Sequence, residues 1–257
     1  MKRRARQLAA DRRSSRLARA QVGDRSELFT EAVGGLPPVY GERWVEVDGR
    51  AFRAFEPGRS KLAAGIARAW TGPVPKSGER WLYLGAATGT TASHIADLVG
   101  PNGAVYAIER SPRPFARLLA LAERWPPLLP ILGDARALRD YSALVPPVAG
   151  IYVDVAQPDQ VEIVRSNAAL FLERPGGAVV VALKTASMGR ERDPAGHLRE
   201  AEAQLRPLVE LAPSVRLDPF HKGHYLVGGH ARGELFRLDS SPAARPSPVR
   251  RRARPRP

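Results

Sequence analysis

The chain has 257 residues, 44% of them hydrophobic, with a formal net charge of +14 and no cysteine. That is enough for one medium domain with a small appendage, and it excludes a disulfide scaffold and a thiolate metal site. No apolar run reaches the ~18 residues of a membrane helix and no hydrophobic secretory leader is expected, so the expected setting is cytoplasmic.

In chain order, residues 1–20 come first, with eight Lys/Arg and one Asp; 241–257 hold six Arg and no acid. The two ends therefore carry nearly all of the excess charge, and 21–240 is almost neutral. The expected reading is a basic disordered arm at 1–20 and an Arg/Pro-rich disordered tail at 233–257. Such polycations attract phosphate without regard to sequence and in a salt-sensitive way. Residues 21–58 change character. Gly34-Gly35, Pro37-Pro38 and Asp48-Gly49 punctuate short alternating runs. Asp-Gly between runs at 43–47 and 51–55 predicts a hairpin, and the segment reads as a small antiparallel β domain.

Residues 59–232 read as the main domain. Ser60 can cap a helix over 62–70, which Gly72, Pro73 and Pro75 end. Strands are predicted near 81–84, 104–108, 128–132, 150–154 and 178–183. Helices are predicted near 91–99, 113–124, 136–143, 158–171 and 194–206. The runs at 209–217 and 224–227 have no helix between them and predict a terminal antiparallel hairpin. The stretch WLYLGAATGTT, residues 81–91, is the centre of this pattern. It is a strand, a tight Gly turn and a helix N-terminus, the place where a nucleotide-like cofactor sits in a doubly wound α/β sheet. Three successive strands then end in acids, Glu109, Asp134 and Asp154. In a parallel sheet all three lie along one carboxyl edge, and Glu109 is spaced to accept from ribose hydroxyls. Only five of the 40 basic residues are Lys: Lys2, Lys61, Lys76, Lys184 and Lys222. A Lys kept in so Arg-rich a chain is worth inspecting, because Lys can lose its proton when desolvated and Arg effectively cannot.

The segments YLGAATGTTASHIADLVGPNGAVYAIERSPR, PILGDAR and DVAQPDQ resemble the fibrillarin family in its archaeal fibrillarin-like form, from about residue 39 to about 229. The resemblance implies an α/β, Rossmann-like methyltransferase sheet with a C-terminal antiparallel hairpin, and a small N-terminal β domain that helps to contact a scaffold. It implies S-adenosylmethionine (SAM) as cofactor, with no metal expected. It implies 2′-O-methylation of ribose in rRNA, with tRNA as a further target. Selection of the site would fall to a box C/D guide RNA, with a Nop-domain scaffold protein and a kink-turn-binding ribosomal-type protein as partners. The family's Lys-Asp-Lys-His set falls on Lys61, Asp154, Lys184 and His224. In that scheme Lys184 orients or deprotonates the attacking hydroxyl, Lys61 stabilises developing oxyanion charge, Asp154 meets Lys184 at the sheet edge, and His224 positions substrate. Cofactor contacts fall on Gly85, Ala86, Thr90 and Thr91 for the methionine part, Glu109 and Arg110 at the ribose, Asp134 and Ala135 at adenine, and Asp154, Val155, Ala156 and Gln157 beside the reacting methyl. Two positions depart from the pattern: Arg110 stands where relatives mostly have an aromatic residue, and Phe55 where a Trp is usual.

Three other functions compete. An NAD-dependent dehydrogenase explains the Gly turn and Glu109, but not Asp134, the terminal hairpin or the Lys-Asp-Lys-His set. A non-enzymatic RNA-binding subunit has no use for four intact catalytic positions. A SAM-dependent protein methyltransferase differs from the RNA enzyme only in substrate. The near-neutral body predicts weak RNA binding by the domain alone.

Overall fold

The computed structural model describes residues 8–22, 25–33, 38–173, 175–189 and 193–237. Two sheets carry the fold. The first is antiparallel and contains β1 (Leu8–Ala10), β2 (Leu17–Val22), β3 (Arg25–Glu31), β4 (Trp44–Val47) and β5 (Arg50–Ala54), in the order β1-β2-β3-β5-β4. The Asp48-Gly49 turn joins β4 to β5, and both residues have positive φ, 51° and 73°. That is the twist a two-residue hairpin loop needs.

This sheet corrects the expected arm. The disorder predicted for 1–20 does not hold for 8–20, because β1 and most of β2 lie there, with Leu17, Ala18 and Ala20 buried. Residues 1–7 lie outside the described residues. The arginines that suggested a solvated polycation are spent internally. Arg13 and Arg19 both hold Asp11, while Arg16 pairs with Glu31 and donates to the carbonyl of Asp97 at 2.6 Å. The small β unit thus starts well before residue 21.

The second sheet follows α1 (Lys61–Ala67). Its strands are β6 (Arg80–Leu84), β7 (Ala104–Glu109), β8 (Leu128–Leu132), β9 (Gly150–Val153), β10 (Ala178–Lys184), β11 (Val209–Leu211), β12 (Val215–Arg216) and β13 (His224–Ala231). The order is β11-β13-β10-β9-β6-β7-β8, with β12 also on β13. From β10 to β8 the pairs are parallel, and β13 is antiparallel to β10. The expected terminal hairpin is split: Ala212, Pro213 and Ser214 part β11 from β12, and the register on β13 slips by one residue between them. The Ala212 amide still donates to the Gly228 carbonyl, so the extra residue falls between Ala212 and β12 as a bulge.

Helices α2 (Thr90–Val99), α3 (Pro112–Ala122), α4 (Gln160–Phe171), α5 (Pro194–Leu205) and α6 (Glu234–Arg237) complete the chain. The helix predicted near 136–143 is only a 3-10 turn at Leu138–Asp140. The carbonyl of Ala135 is taken by Tyr141 Oη and Asn167 Nδ2, at 3.1 and 2.9 Å, instead of by an i+4 amide. At the other end, the tail expected from 233 is ordered as far as Arg237, where α6 buries Leu235; 238–257 lie outside the described residues.

Alternation along the strands makes two cores. Trp81, Tyr83, Val180 and Ala182 face α1, α2 and the small sheet, while Leu82, Leu84, Val181 and Leu183 face α4 and α5. Leu17, Leu28 and Phe55 of the N-terminal part belong to the first of these cores. A buried polar knot joins the two sheets further. Arg53 of β5, with a fully buried side chain, lies 3.2 Å from Glu42 and 3.3 Å from Asp97 of α2, and its guanidinium is 4.9 Å from the centre of the Trp125 ring. Asp97 also accepts from Thr30 Oγ1, the Val33 amide and Trp125 Nε1. Arg53 donates to His94 Nε2 at 3.0 Å. A guanidinium can only donate, so Nε2 is the acceptor and Nδ1–H donates to Thr30 Oγ1 at 2.7 Å. Burial, with Arg53 beside it, holds the His94 pKa well below the usual imidazole range.

Candidate active site

The strand order reverses at β6, between β9 and β7. Carboxyl ends flanking such a reversal leave a crevice, because the connections depart to opposite sides. Gly85 ends β6 there with φ of 82°. A β-carbon at Gly85 would stand 2.5 Å from the Asp154 carbonyl oxygen, so a side chain is excluded by space as well as by φ. Beyond it lies a cleft of about 330 Å3 lined by Gly85, Ala87, Ile108, Glu109, Arg110, Ser111, Gly133, Ala135, Asp154, Val155, Ala156 and Gln157.

Glu109 sits at the end of β7, buried, with one carboxylate oxygen accepting from the Ala87 amide at 2.9 Å and the other from the Ser111 amide at 2.7 Å. Each oxygen keeps a lone pair, so the pair can accept two neighbouring hydroxyls. Gln157 Oε1 is buried beside this cleft without a hydrogen-bond partner among the described residues. A buried acceptor left unpaired is costly, and a polar ligand in the cleft is positioned to satisfy it. These features suit an adenosine-type cofactor with a polar amino-acid arm: an acid for ribose, a glycine cradle and an open acceptor.

Lys61 opens α1 just after Ser60, whose hydroxyl accepts from the Ala63 amide and from Thr91 Oγ1, the latter at 3.1 Å. Close packing brings α1 over the sheet, since a β-carbon at Gly65 would stand 2.3 Å from Leu226 Cδ2 of β13. Lys61 Nζ then reaches both carboxylate oxygens of Asp154, at 2.7 and 2.8 Å. The expected meeting of Lys184 with Asp154 gives way to this pair. Among the described residues no carboxylate pairs with the Lys184 ammonium. Lys184 lies directly opposite His224 in the β10–β13 register.

The backbone of Lys184 is held from its other side by Gln160. Strand β9 gives out at Val153, paired with Val181, and β10 runs three residues further. There the fully buried Gln160 stands in for the missing strand. Its Oε1 accepts the Lys184 N–H at 3.0 Å and its Nε2 donates to the Lys184 carbonyl at 3.2 Å.

His224 Nδ1 donates to the Lys222 carbonyl at 3.0 Å, and His221 Nε2 donates to the Pro57 carbonyl at 2.8 Å. The rings lie 6.1 Å apart, edge to face. Burial first and the Lys61 charge next lower both pKa values. With Nδ1–H committed, neutral His224 offers Nε2 as an acceptor.

A family model described as Fibrillarin matches residues 14–233. The chain belongs to the fibrillarin family. A fibrillarin-like rRNA/tRNA 2′-O-methyltransferase from Pyrococcus horikoshii is 42% identical over 188 residues, which is 73% of this chain and 82% of that protein. Aeropyrum pernix fibrillarin, solved with natively bound S-adenosyl-L-methionine, aligns with a TM-score of 0.78 at 36% identity, over 88% of this chain and 97% of that one. A fibrillarin in complex with Nop5p aligns with a TM-score of 0.70 at 36% identity, over 80% and 93%.

Of the residues read from sequence, Lys61, Asp154, Lys184 and His224 come together above the ends of β9, β10 and β13. Gly85, Glu109, Arg110, Ala135, Asp154, Val155, Ala156 and Gln157 line the cleft. Ala86 and Thr91 are buried beneath the Gly turn, and Thr90 faces a separate cleft. Asp134 stands next to the lining with both oxygens engaged by Arg136, and its pKa is lowered to about 2, chiefly by that contact. An adenine amino group reaching Asp134 would share these oxygens with Arg136. Sequence reasoning missed Gln160, the lining residues Ala87, Ile108, Ser111 and Gly133, and His221. For Gln160 the motif DVAQPDQ was read, but a lone amide does not announce its partner.

Proposed function

We propose that this chain is a SAM-dependent 2′-O-methyltransferase of ribose in rRNA, with tRNA as a further substrate. The observation that carries the reading is the two-pronged Lys61–Asp154 ion pair, set beside Lys184 and His224, with Asp154 itself lining the cleft. The Gly85 turn, Glu109 and Gln157 would hold SAM, in keeping with the SAM bound to the A. pernix relative. SAM supplies an electrophilic methyl group on a sulfonium.

The residues divide the remaining work. A ribose hydroxyl is a weak acid, so its attack needs a group that orients or accepts its proton. Lys184, whose ammonium has no carboxylate anchor among the described residues, takes that role. Lys61 is held in place by Asp154 and places positive charge where the alkoxide develops. His224 accepts through Nε2 and fixes the ribose or its neighbour. Lys184 and Lys61 approach from the sheet and from α1, so the hydroxyl is gripped between two elements of one rigid core.

Target choice in this reading lies with a box C/D guide RNA, a Nop-domain scaffold and a kink-turn-binding protein. The Nop5p complex of a relative supports the scaffold. The test is single-turnover methyl transfer from labelled SAM to a guide-paired target RNA, with the scaffold proteins present. Wild type should modify one ribose, and Lys184→Ala should bind SAM normally but lose transfer. SAM binding without transfer by wild type would leave a binding subunit as the better reading, and failure to bind SAM would remove the cofactor assignment.

A further inference from the structure

A second cleft, of about 380 Å3, opens beside the start of α2, where Tyr40, Thr88 and Thr90 face Arg117 of α3 and Arg124 in the turn after it. No acid lines it. It adjoins the active site on the Lys61 side. The exposed guanidinium of Arg59, two residues before Lys61, lies 5.8 Å from the centre of the Tyr40 ring, and Thr91, next to Thr90, bonds to Ser60. Arg113 and Arg117 lie four residues apart, one turn, on α3, and Arg124 follows just after it with its guanidinium over the Trp125 ring at 5.3 Å; all three are exposed. The local picture therefore differs from the near-neutral body that the residue count suggests. Cations that are scattered in sequence converge along one path, from Lys61 through Arg59 and Tyr40 to Arg117 and Arg124.

We infer that this cleft carries the phosphates of the RNA strand next to the ribose being methylated. The inference rests on the RNA-methylating reading above and extends it to a surface. A ribose delivered to Lys61 and Lys184 has a phosphate bonded on each side, so the adjoining nucleotides must cross the protein within a short distance of the site. Arginine forks and threonine hydroxyls are the donors that phosphate oxygens take. The Tyr40 ring offers a face on which a base can stack. Charge complementarity thus favours a phosphodiester chain over an apolar occupant. An acidic protein segment would satisfy the arginines but leave the Tyr40 face and the continuity with the ribose site unused.

The test uses the full chain with scaffold partner and guide RNA. Methyl transfer is measured against target RNA concentration at saturating SAM and at several salt concentrations, for wild type and for the double variant Arg117→Ala/Arg124→Ala. Both positions are exposed, and thermal unfolding checks that the variant folds. The expected result is an apparent KM for RNA raised about tenfold or more, kcat within about threefold and an unchanged Kd for SAM. The salt dependence should flatten by about 1.5 in log–log slope, the loss of two phosphate contacts. Arg117→Lys/Arg124→Lys should recover most of the slope. An unchanged KM and slope would overturn the inference. A variant that handles RNA normally but loses the scaffold would overturn it in favour of a protein interface. If wild type modifies no RNA, the methyltransferase reading fails on its own account. The cleft is then judged by filter binding of single-stranded RNA to the full chain, where equal retention of wild type and variant counts against it.

Discussion

Replacing Gln160 by Leu is the most direct probe of how the fold delivers Lys184. The side chain is fully buried and makes two hydrogen bonds to one residue's backbone, at 3.0 and 3.2 Å. Leu keeps the volume and makes neither. Each backbone group left unpaired in a buried place costs about 1–3 kcal/mol, so a loss of about 3 kcal/mol is expected after partial relaxation. In a chain of this length that is about 6–12 °C in Tm. If about 1.4–2.7 kcal/mol of it is expressed as misplacement of the Lys184 ammonium in the transition state, kcat falls about 10- to 100-fold. The assay is single-turnover transfer at saturating RNA and SAM, well below the variant's Tm, with SAM Kd measured alongside. Gln160→Met also fills the site and makes neither bond, and should match Leu in both stability and rate. A Gln160→Leu protein that loses stability as predicted, yet turns over at the wild-type rate while folded, would refute the positioning argument and leave Gln160 as a structural residue.

Three further outcomes follow from the same structure. Arg53→Met strands Glu42 and Asp97 without their buried cation, and urea unfolding should show a loss of about 3–5 kcal/mol. Gly85→Ala forces a β-carbon to within 2.5 Å of the Asp154 carbonyl at a positive φ, and calorimetry should show SAM binding lost or weakened at least tenfold while most of the fold's stability remains. His94 has a folded pKa below its unfolded value of about 6.5, so between the two values the unfolded chain binds the extra proton. Its contribution is therefore fully present above about pH 6.5 and is lost as pH falls toward the folded pKa. Urea midpoints measured from pH 7.5 to 5 should decline on the acid side, and His94→Gln should flatten that decline.

The sheet that holds the site was readable because its signals are local. Apolar runs ending in Gly85, Glu109 and Asp154 declare strand, turn and carboxyl edge within a few residues, and Asp48-Gly49 declares its own turn. The N-terminal strands were not, because the partners of Arg13, Arg16 and Arg19 include Asp97 and the Trp70 carbonyl, far along the chain. Counted by sequence these arginines are loose charge; counted by contact they are struts. The segment near 136–143 has helical spacing, but the side chains of Tyr141 and Asn167 claim a carbonyl that a helix would need. The four candidate catalytic positions were legible from motifs. Their pairing was not, because whether Asp154 meets Lys61 or Lys184 depends on how far Gly65 lets α1 descend onto β13.

The knot around Arg53 bears on how such a protein can be cut and recombined. A fragment beginning at residue 59 would contain every candidate catalytic side chain, yet it would expose Asp97, His94 and Trp125 with their N-terminal partners removed, and would uncover the core face that Leu17, Leu28 and Phe55 close. The α/β portion is thus no interchangeable cassette. A chimaera that swaps the N-terminal sheet between relatives must carry the α2 residues Ser93, His94 and Asp97 with it, and Trp125 beyond α3, so the unit of exchange crosses the boundary between the two sheets.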